Sequence, residues 1–130
     1  MNVIKSESVV FFDVDDTLVM HLKDDELVHY NETVEVNDPI SMGVIRLGVN
    51  RPMIRLLQEE AHRGSYVIVW SRGGYEWAHN VLLALYLDDY VDQVMSKPVA
   101  YFDDKDIGDW LKYRVYLKPE TAYKNIKFNK

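Results

Sequence analysis

Runs of apolar residues along the chain predict the strands of a parallel β-sheet. The run Val9–Phe12 is continuous, β-branched and aromatic, which is typical of a strand that is buried on both faces. The run Val67–Trp70 repeats this pattern. Shorter apolar runs predict three further strands, at Val91–Met95, Val99–Phe102 and Val115–Leu117.

Apolar residues at helical spacing lie between these runs. Pro52 suits the first turn of a helix that ends near Gly64, and apolar residues follow it at Met53, Ile54, Leu56 and Leu57. A second helix is predicted over Trp77–Leu87. Strands that alternate with helices predict an α/β fold, a three-layer Rossmann-like sandwich around a mainly parallel sheet. We expect residues 1–130 to form a single domain.

The insert over residues 19–51 follows a different pattern. The segments Leu27–Tyr30 and Val34–Asn37 flank a short polar stretch, which predicts a β-hairpin. Pro39 and Gly43 then interrupt the pattern. The insert is too short for a second domain, so we interpret it as a flap that follows the first strand.

Composition and charge exclude several classes of protein. The chain has no cysteine, which excludes disulfide scaffolds and thiolate metal sites. Its net charge is −6, although residues 110–130 carry six basic residues and one acidic residue. An acidic body is unsuited to general nucleic-acid binding. The apolar runs are too short to span a membrane and no secretion signal is recognised at the N-terminus, so we expect a cytoplasmic protein with no membrane partner.

Unusual polar groups follow four of the predicted strands. In chain order they are Asp13 and Asp15, then Ser71, Arg72 and Gly73, then Lys97, then Asp103 and Asp104. In an open parallel sheet, ligands bind beyond the carboxyl ends of the strands. The sequence therefore predicts that these side chains form one site.

The chemistry of this set points to phosphoryl transfer. Three carboxylates near one point need a cation to stay ionised, and hard oxygen ligands favour Mg²⁺ over zinc. Ser71 is followed by glycines whose backbone N–H groups can approach an anion closely, which suits a phosphate. Lys97 supplies a positive charge to offset the phosphoryl group.

Some residues suggest other kinds of site, which their spacing does not support. A calcium loop that starts at Asp13 fails, because Leu18 and Asp24 occupy its sixth and twelfth positions. The glycines after Arg72 lack the lysine of a nucleotide-binding loop. The four histidines show no metal spacing and are expected at the surface or in packing, and packing is also favoured for Trp77 over stacking on a substrate.

The order of these residues resembles the haloacid dehalogenase superfamily of phosphatases. The first family motif, an apolar strand followed by Asp-x-Asp-x-Thr, is matched by residues 9–17. The second, an apolar strand ending in Ser or Thr, is matched at Ser71, and the third, a lysine, at Lys97. The fourth, an acidic pair after a strand, is matched by Asp103 and Asp104.

The resemblance implies a role for each residue. Asp13 would attack phosphorus to form an aspartyl phosphate, and Asp15 would act as acid and base. Asp15 would have to hold a proton near neutral pH, so we expect its pKa to be raised. The remaining roles are phosphate binding by Ser71, Arg72, Gly73 and Lys97, and magnesium binding by Asp13, Asp15, Asp103 and Asp104.

The spacing of the motifs limits the size of any cap. Only 25 residues separate Ser71 from Lys97, so a cap domain does not fit there and the site is expected to be open. The predicted function is a Mg²⁺-dependent phosphomonoesterase that acts on a small phosphate ester such as a nucleotide. Two alternatives stay open, a polynucleotide end phosphatase and a non-catalytic phosphate-binding module. An oligomer would be one way to cover an open site.

Overall fold

The computed structural model of the protein describes residues 8–116. Six strands, four α-helices and one 3-10 helix, Asp88–Tyr90, lie within this part of the chain. The strands are β1 Val9–Asp13, β2 Val19–Met20, β3 Thr33–Asn37, β4 Val44–Val49, β5 Tyr66–Ser71 and β6 Gln93–Ser96. The helices are α1 Asp24–Leu27, α2 Arg51–His62, α3 Tyr75–Ala84 and α4 Ile107–Trp110.

Three of the strands form a parallel sheet in the order β1-β5-β6. Asp13 at the end of β1 is in register with Trp70, and Ser71 at the end of β5 is in register with Ser96. The strands predicted from the first three apolar runs are therefore confirmed. Their carboxyl ends lie side by side at one edge of the sheet.

The burial of β1 differs between its two faces. Phe12 is 7% exposed and lies in the main core, whereas Phe11 is 42% exposed and its ring packs 4.2 Å from that of Trp70. The prediction that this strand is buried on both faces is wrong. The reason is that residues of α2 and α3, such as Ile54 and Leu82, join the core only on the face of the sheet that carries Phe12.

Both long helices form where the sequence predicts them. Pro52 lies in the first turn of α2, and the apolar stripe of this helix buries Met53, Ile54 and Leu57. The second helix begins at Tyr75 and ends at Ala84, so it starts two residues before the predicted range and ends three residues before its end. It ends there because Tyr86 takes a positive φ of 57°, which the helical backbone cannot continue.

The insert forms a second, antiparallel sheet in the order β2-β4-β3. The predicted hairpin is correct for β3 but wrong for its partner, which is β4 rather than residues 27–30. Leu27 instead ends the short helix α1, where the Glu26 carboxylate accepts a hydrogen bond of 2.9 Å from the Lys23 N–H. Gly43, which the pattern marked as a break, lies in the turn that joins β3 to β4.

The two sheets share one apolar core. Val36 and Leu47 of the antiparallel sheet belong to the same buried cluster as Val69 of the parallel sheet. The side-chain amide of Asn80 on α3 also donates a hydrogen bond of 2.9 Å to the carbonyl of Asn37. The flap is therefore packed against the body of the protein.

The segment after β6 differs from its prediction. No strand forms over residues 99–102, and Val99 and Phe102 are almost fully exposed, so the predicted strand there is wrong. An apolar run becomes a strand only where a neighbour pairs with it and buries one of its faces. Val115 and Tyr116 also lie outside any strand, and Leu117 lies outside the described residues.

The architecture is thus mixed α/β, with a three-stranded parallel sheet and a small antiparallel sheet. None of the helices within residues 8–116 has the length and apolar character needed to cross a membrane.

Candidate functional site

Three of the predicted site residues meet at the carboxyl end of the parallel sheet. Asp13 and Ser71 are the last residues of β1 and β5, and Lys97 directly follows β6. The Lys97 ammonium lies 3.9 Å from Asp13 Oδ1, and the Lys97 backbone N–H donates a hydrogen bond of 2.8 Å to the Ser71 carbonyl. The pairing of adjacent parallel strands places these groups together, as the sequence predicted.

Asp13 is partly buried beside a positive and a negative charge. Burial raises the pKa of this carboxyl group; the Lys97 charge opposes the rise, and the Asp15 charge adds to it. Thr17 donates a hydrogen bond of 3.4 Å to Asp13 Oδ2. Lys97 therefore favours the ionised, nucleophilic form of a carboxylate that its surroundings would otherwise protonate more readily.

Asp15 accepts hydrogen bonds from three side chains on three different parts of the chain. His21 Nε2 lies 2.7 Å and Trp77 Nε1 2.9 Å from Asp15 Oδ1, and Ser71 Oγ lies 3.0 Å from Asp15 Oδ2. Burial opposes the charge of this group, but the hydrogen bonds from His21, Trp77 and Ser71 outweigh it, and the pKa of Asp15 is lowered. This is the opposite of the expected rise, because the carboxylate is surrounded by donors rather than by apolar groups.

His21 is the site residue that the sequence analysis missed. Besides its ring contact with Asp15, its backbone N–H donates a hydrogen bond of 3.0 Å to Asp16 Oδ1. The hydrogen bond to Asp15 raises the pKa of His21, and burial partly offsets the rise. His21 lies at the surface, as expected of the histidines, but its ring also contacts Asp15, which that expectation did not include. Nothing in its spacing from Asp15 indicates the contact.

Trp77 combines packing with a polar contact. Its ring is 6% exposed and lies in the main core, as the favoured interpretation predicted. Its indole N–H also donates a hydrogen bond to Asp15, a contact that no pattern in the sequence predicts. Buried tryptophans usually find such an acceptor, so any buried Trp near a carboxylate motif is a candidate partner.

Ser71 and Gly73 form a tight turn at the end of β5. The Ser71 hydroxyl is fully buried, donates to Asp15 and accepts a hydrogen bond of 2.9 Å from the Gly73 N–H. A Cβ atom at Gly73 would lie 2.9 Å from the Trp77 ring, so a larger residue would displace that ring. Arg72 is exposed. In this arrangement the Ser71 hydroxyl donates its one hydrogen to Asp15. Its role in binding phosphate stays a prediction.

Buried contacts fix the loop that carries Asp15. Val14 and Leu18 are fully buried, and the Leu18 N–H closes the loop onto the Val14 carbonyl at 2.9 Å. The fully buried Asn50 donates its side-chain amide to the Thr17 carbonyl at 2.8 Å. The loop is thus held from the N-terminus of α2 as well as from within.

Asp103 and Asp104 lie in the exposed segment after β6. Asp103 Oδ1 accepts a hydrogen bond of 3.0 Å from the Lys105 N–H, and this bond, together with the Asp104 side chain, lowers the pKa of Asp103. Within residues 8–116, no three His, Cys, Asp or Glu side chains are gathered closely enough to hold a metal ion. The structure brings Asp13 and Asp15 together but does not add the second acidic pair to them.

The donors at the end of β1 nevertheless suit magnesium. Asp13 offers hard carboxylate oxygens, with about a third of its side chain open to solvent, and the loop to Asp15 is rigid. Asp13 therefore fits as a carboxylate ligand. The carboxylate of Asp15 is occupied by its three donors, so Asp15 fits only through its backbone carbonyl, as the resemblance implies, and the assignment of Asp103 and Asp104 as further ligands stays a prediction.

The chain matches no protein-family model, no curated protein and no solved structure. The side chains at the three strand ends are therefore the basis for the function proposed below.

Proposed function

We propose that this protein is a phosphomonoesterase of the haloacid dehalogenase type that works through an aspartyl phosphate on Asp13. One observation carries the proposal. A half-buried carboxylate, a lysine 3.9 Å from it and a second carboxylate fixed by a buried serine stand at the ends of three adjacent parallel strands. This arrangement supports the proposal, because a nucleophile, a positive charge and an acid–base group are what the transfer of one phosphoryl group needs.

In the first step, an oxygen of Asp13 attacks phosphorus. The new Asp13–phosphorus bond forms as the bond from phosphorus to the ester oxygen breaks. Lys97 offsets the negative charge on both the nucleophile and the phosphoryl oxygens, and its ammonium is already beside Asp13. The partial exposure of Asp13 leaves room for a phosphate ester to approach.

In the second step, water attacks the aspartyl phosphate and releases inorganic phosphate. Asp15 takes the proton of that water, and its hydrogen-bonded, ionised form suits a base. To donate a proton to the leaving oxygen in the first step, Asp15 would first have to be protonated, which its lowered pKa disfavours; without that proton the leaving oxygen departs with a negative charge. Esters with good leaving groups, which need little protonation, should therefore react faster.

Magnesium belongs to the same proposal. Bound by Asp13 and Asp15, with Asp103 or Asp104 as a further ligand, it would add positive charge next to the phosphoryl oxygens. We also propose the three-layer sandwich that the sequence predicts. It would require a further layer of structure over the face of β1 that carries Phe11. We also propose a cytoplasmic location.

The substrate we propose is a small phosphate ester, with nucleotides as the first class to test. Phosphorylated ends of polynucleotides are the second candidate, since no domain separates β5 from β6 to cover the site and the side chains of Asp13, Asp15 and Lys97 are each about one-third exposed. Rates on a mononucleotide and on an oligonucleotide with a terminal phosphate separate the two. A preference for the oligonucleotide that disappears in high salt would favour the second.

The test is hydrolysis of an aryl phosphate by the purified full-length chain with Mg²⁺. We expect EDTA to abolish hydrolysis and Asp13→Asn to lower kcat by about three orders of magnitude or more, because the nucleophile is lost. Asp89→Asn is the matched control, since Asp89 is an exposed aspartate on the 3-10 helix.

The two possible failures have different meanings. Hydrolysis that persists in Asp13→Asn, or in EDTA, would contradict the mechanism. Phosphate binding to Mg²⁺-loaded protein without turnover of any ester would instead favour the non-catalytic module.

A further inference from the structure

The hydrogen-bond donors around Asp15 are not equivalent. Ser71 is fully buried on β5 and Trp77 is 6% exposed on α3, so neither can leave the carboxylate without disturbing the core. The side chain of His21 is 42% exposed. It is the one of these three contacts that can be removed at little cost to the core.

His21 also connects Asp15 to the flap. It directly follows Met20, a fully buried residue of β2 that pairs with Gly48 of β4. Its backbone N–H is bonded to Asp16, so residue 21 is attached twice to the loop after β1. The position of its ring is therefore set both by the antiparallel sheet, through Met20, and by the loop that carries Asp15.

Two donors converge on one oxygen of the carboxylate. His21 and Trp77 both contact Asp15 Oδ1, and their ring centroids are 6.3 Å apart. Without His21, that oxygen would keep only the indole N–H. The side chain of Asp15 would then have more freedom to turn about its Cα–Cβ and Cβ–Cγ bonds.

From this geometry we propose that His21 is a positioning residue, which holds the Asp15 carboxylate in its working orientation and ties that orientation to the flap. The inference about catalysis rests on the proposed phosphatase activity. Groups that orient a reacting side chain in this way typically change rates by about 10-fold to 100-fold. They act on the reaction step more than on the binding of substrate.

The test compares His21→Ala with His21→Gln, because the glutamine side chain can still donate a hydrogen bond to Asp15. We expect His21→Ala to lower kcat for aryl phosphate by about 10-fold to 100-fold with KM changed less than about threefold. We expect His21→Gln to recover most of that loss. His62→Ala is the control, since His62 also packs its ring against an aromatic residue, Tyr90, but is not one of the three side chains that are hydrogen-bonded to Asp15.

A second measurement does not depend on activity. The indole N–H resonance of Trp77, assigned with Trp77→Phe, reports on the hydrogen bond to the same Asp15 oxygen. We expect this resonance to shift in His21→Ala and to stay in place in His62→Ala.

These readouts separate the possible outcomes. A kcat within twofold of the unaltered protein in His21→Ala, or no recovery in His21→Gln, would overturn the positioning role. If the unaltered protein hydrolyses no ester, the phosphatase proposal fails, and an unchanged Trp77 resonance in His21→Ala would then overturn the contact itself.

Discussion

Two acidic pairs follow strands of the parallel sheet, and their surroundings are very different. Asp13 ends β1 and Asp15 lies on the loop after it, whose apolar residues are fully buried, and Asp15 has three side-chain donors. Asp103 and Asp104 follow β6 at a distance, in a segment whose apolar residue Phe102 is 98% exposed. The same residue type therefore yields a fixed side chain in one region and a solvated one in the other.

The difference comes from the apolar residues that neighbour each acidic pair in the chain. Val14 and Leu18 point into the core and anchor the first loop, whereas Val99 and Phe102 have no such contact. A site residue is thus only as well placed as the apolar neighbours that hold its backbone.

The largest effect should come from truncating one phenylalanine in each region. Phe12→Ala removes a core ring and should lower the free energy of unfolding by about 3–5 kcal/mol. Phe102→Ala should change it by less than about 0.5 kcal/mol, because the ring is already in water. Urea unfolding followed by circular dichroism gives both values. A large loss in Phe102→Ala would show that the second region is buried in solution, and would remove the contrast.

A smaller effect is expected from two serines with the same local contacts. Ser71 donates to Asp15 and accepts from the N–H of Gly73, and Ser41 donates to Asp38 and accepts from the N–H of Gly43. Ser71→Ala should cost about 1–3 kcal/mol of unfolding free energy, because it removes a fully buried hydroxyl and leaves the Gly73 N–H and an Asp15 oxygen with fewer partners.

Ser41→Ala is the matched control for that change. Ser41 is exposed, so water can replace its hydroxyl, and we expect a loss below about 0.5 kcal/mol. Equal losses in the two variants would mean that burial of the site contributes nothing to the strength of these contacts.

The smallest effect should be a change in the pH dependence of stability. The hydrogen bond to Asp15 raises the pKa of His21 above its usual value of about 6.5. The stabilisation from this contact should be fully present below that usual value and be lost as pH rises through the raised pKa. The unaltered protein should therefore lose stability relative to His21→Gln as pH rises through the neutral range.

The acid side of the profile has the opposite sign. Because the pKa of Asp15 is lowered, its contribution is present above its usual value of about 3.9 and is lost as pH falls through the lowered pKa. Urea titrations in metal-free buffer measure both limbs. A difference between the two proteins that does not vary from pH 5 to 9 would contradict the charge of the His21–Asp15 contact.

The core strands and helices could be predicted because their patterns are local. The apolar run of β1 and the Pro52 start of α2 are visible in a few residues, and the structure places both as expected. The solvent exposure of one face of β1 could not be predicted from such a local pattern. It depends on which side the helices pack, and a continuous apolar run gives no preference.

The flap shows how a turn can be mistaken for a break. Pro39 and Gly43 interrupt the sequence pattern after the predicted hairpin, but the chain from Asp38 to Gly43 is the turn of the observed hairpin, with a positive φ at Met42. Gly48 lies inside β4 because the ring of Tyr30 packs directly over it, a contact between residues 18 positions apart that no local pattern reveals.

The site residues also fall into two groups, those that a local sequence pattern predicts and those whose contacts depend on packing. Asp13, Ser71 and Lys97 were found because each follows a predicted strand. His21 and Trp77 reach Asp15 from the flap and from α3, so their roles depend on how the two sheets and the helix pack. Whether Asp103 lies at the end of a strand depends on whether residues 99–102 form that strand, which their composition alone does not decide.

The strand that carries Asp13 has a consequence for thermal inactivation. Within residues 8–116, β1 pairs with β5 on one side and has no partner strand on the other. Outer strands open at lower temperatures than the strands between them, because they have fewer contacts to lose. On heating, the proposed phosphatase activity should therefore be lost before the far-ultraviolet signal of the helices is.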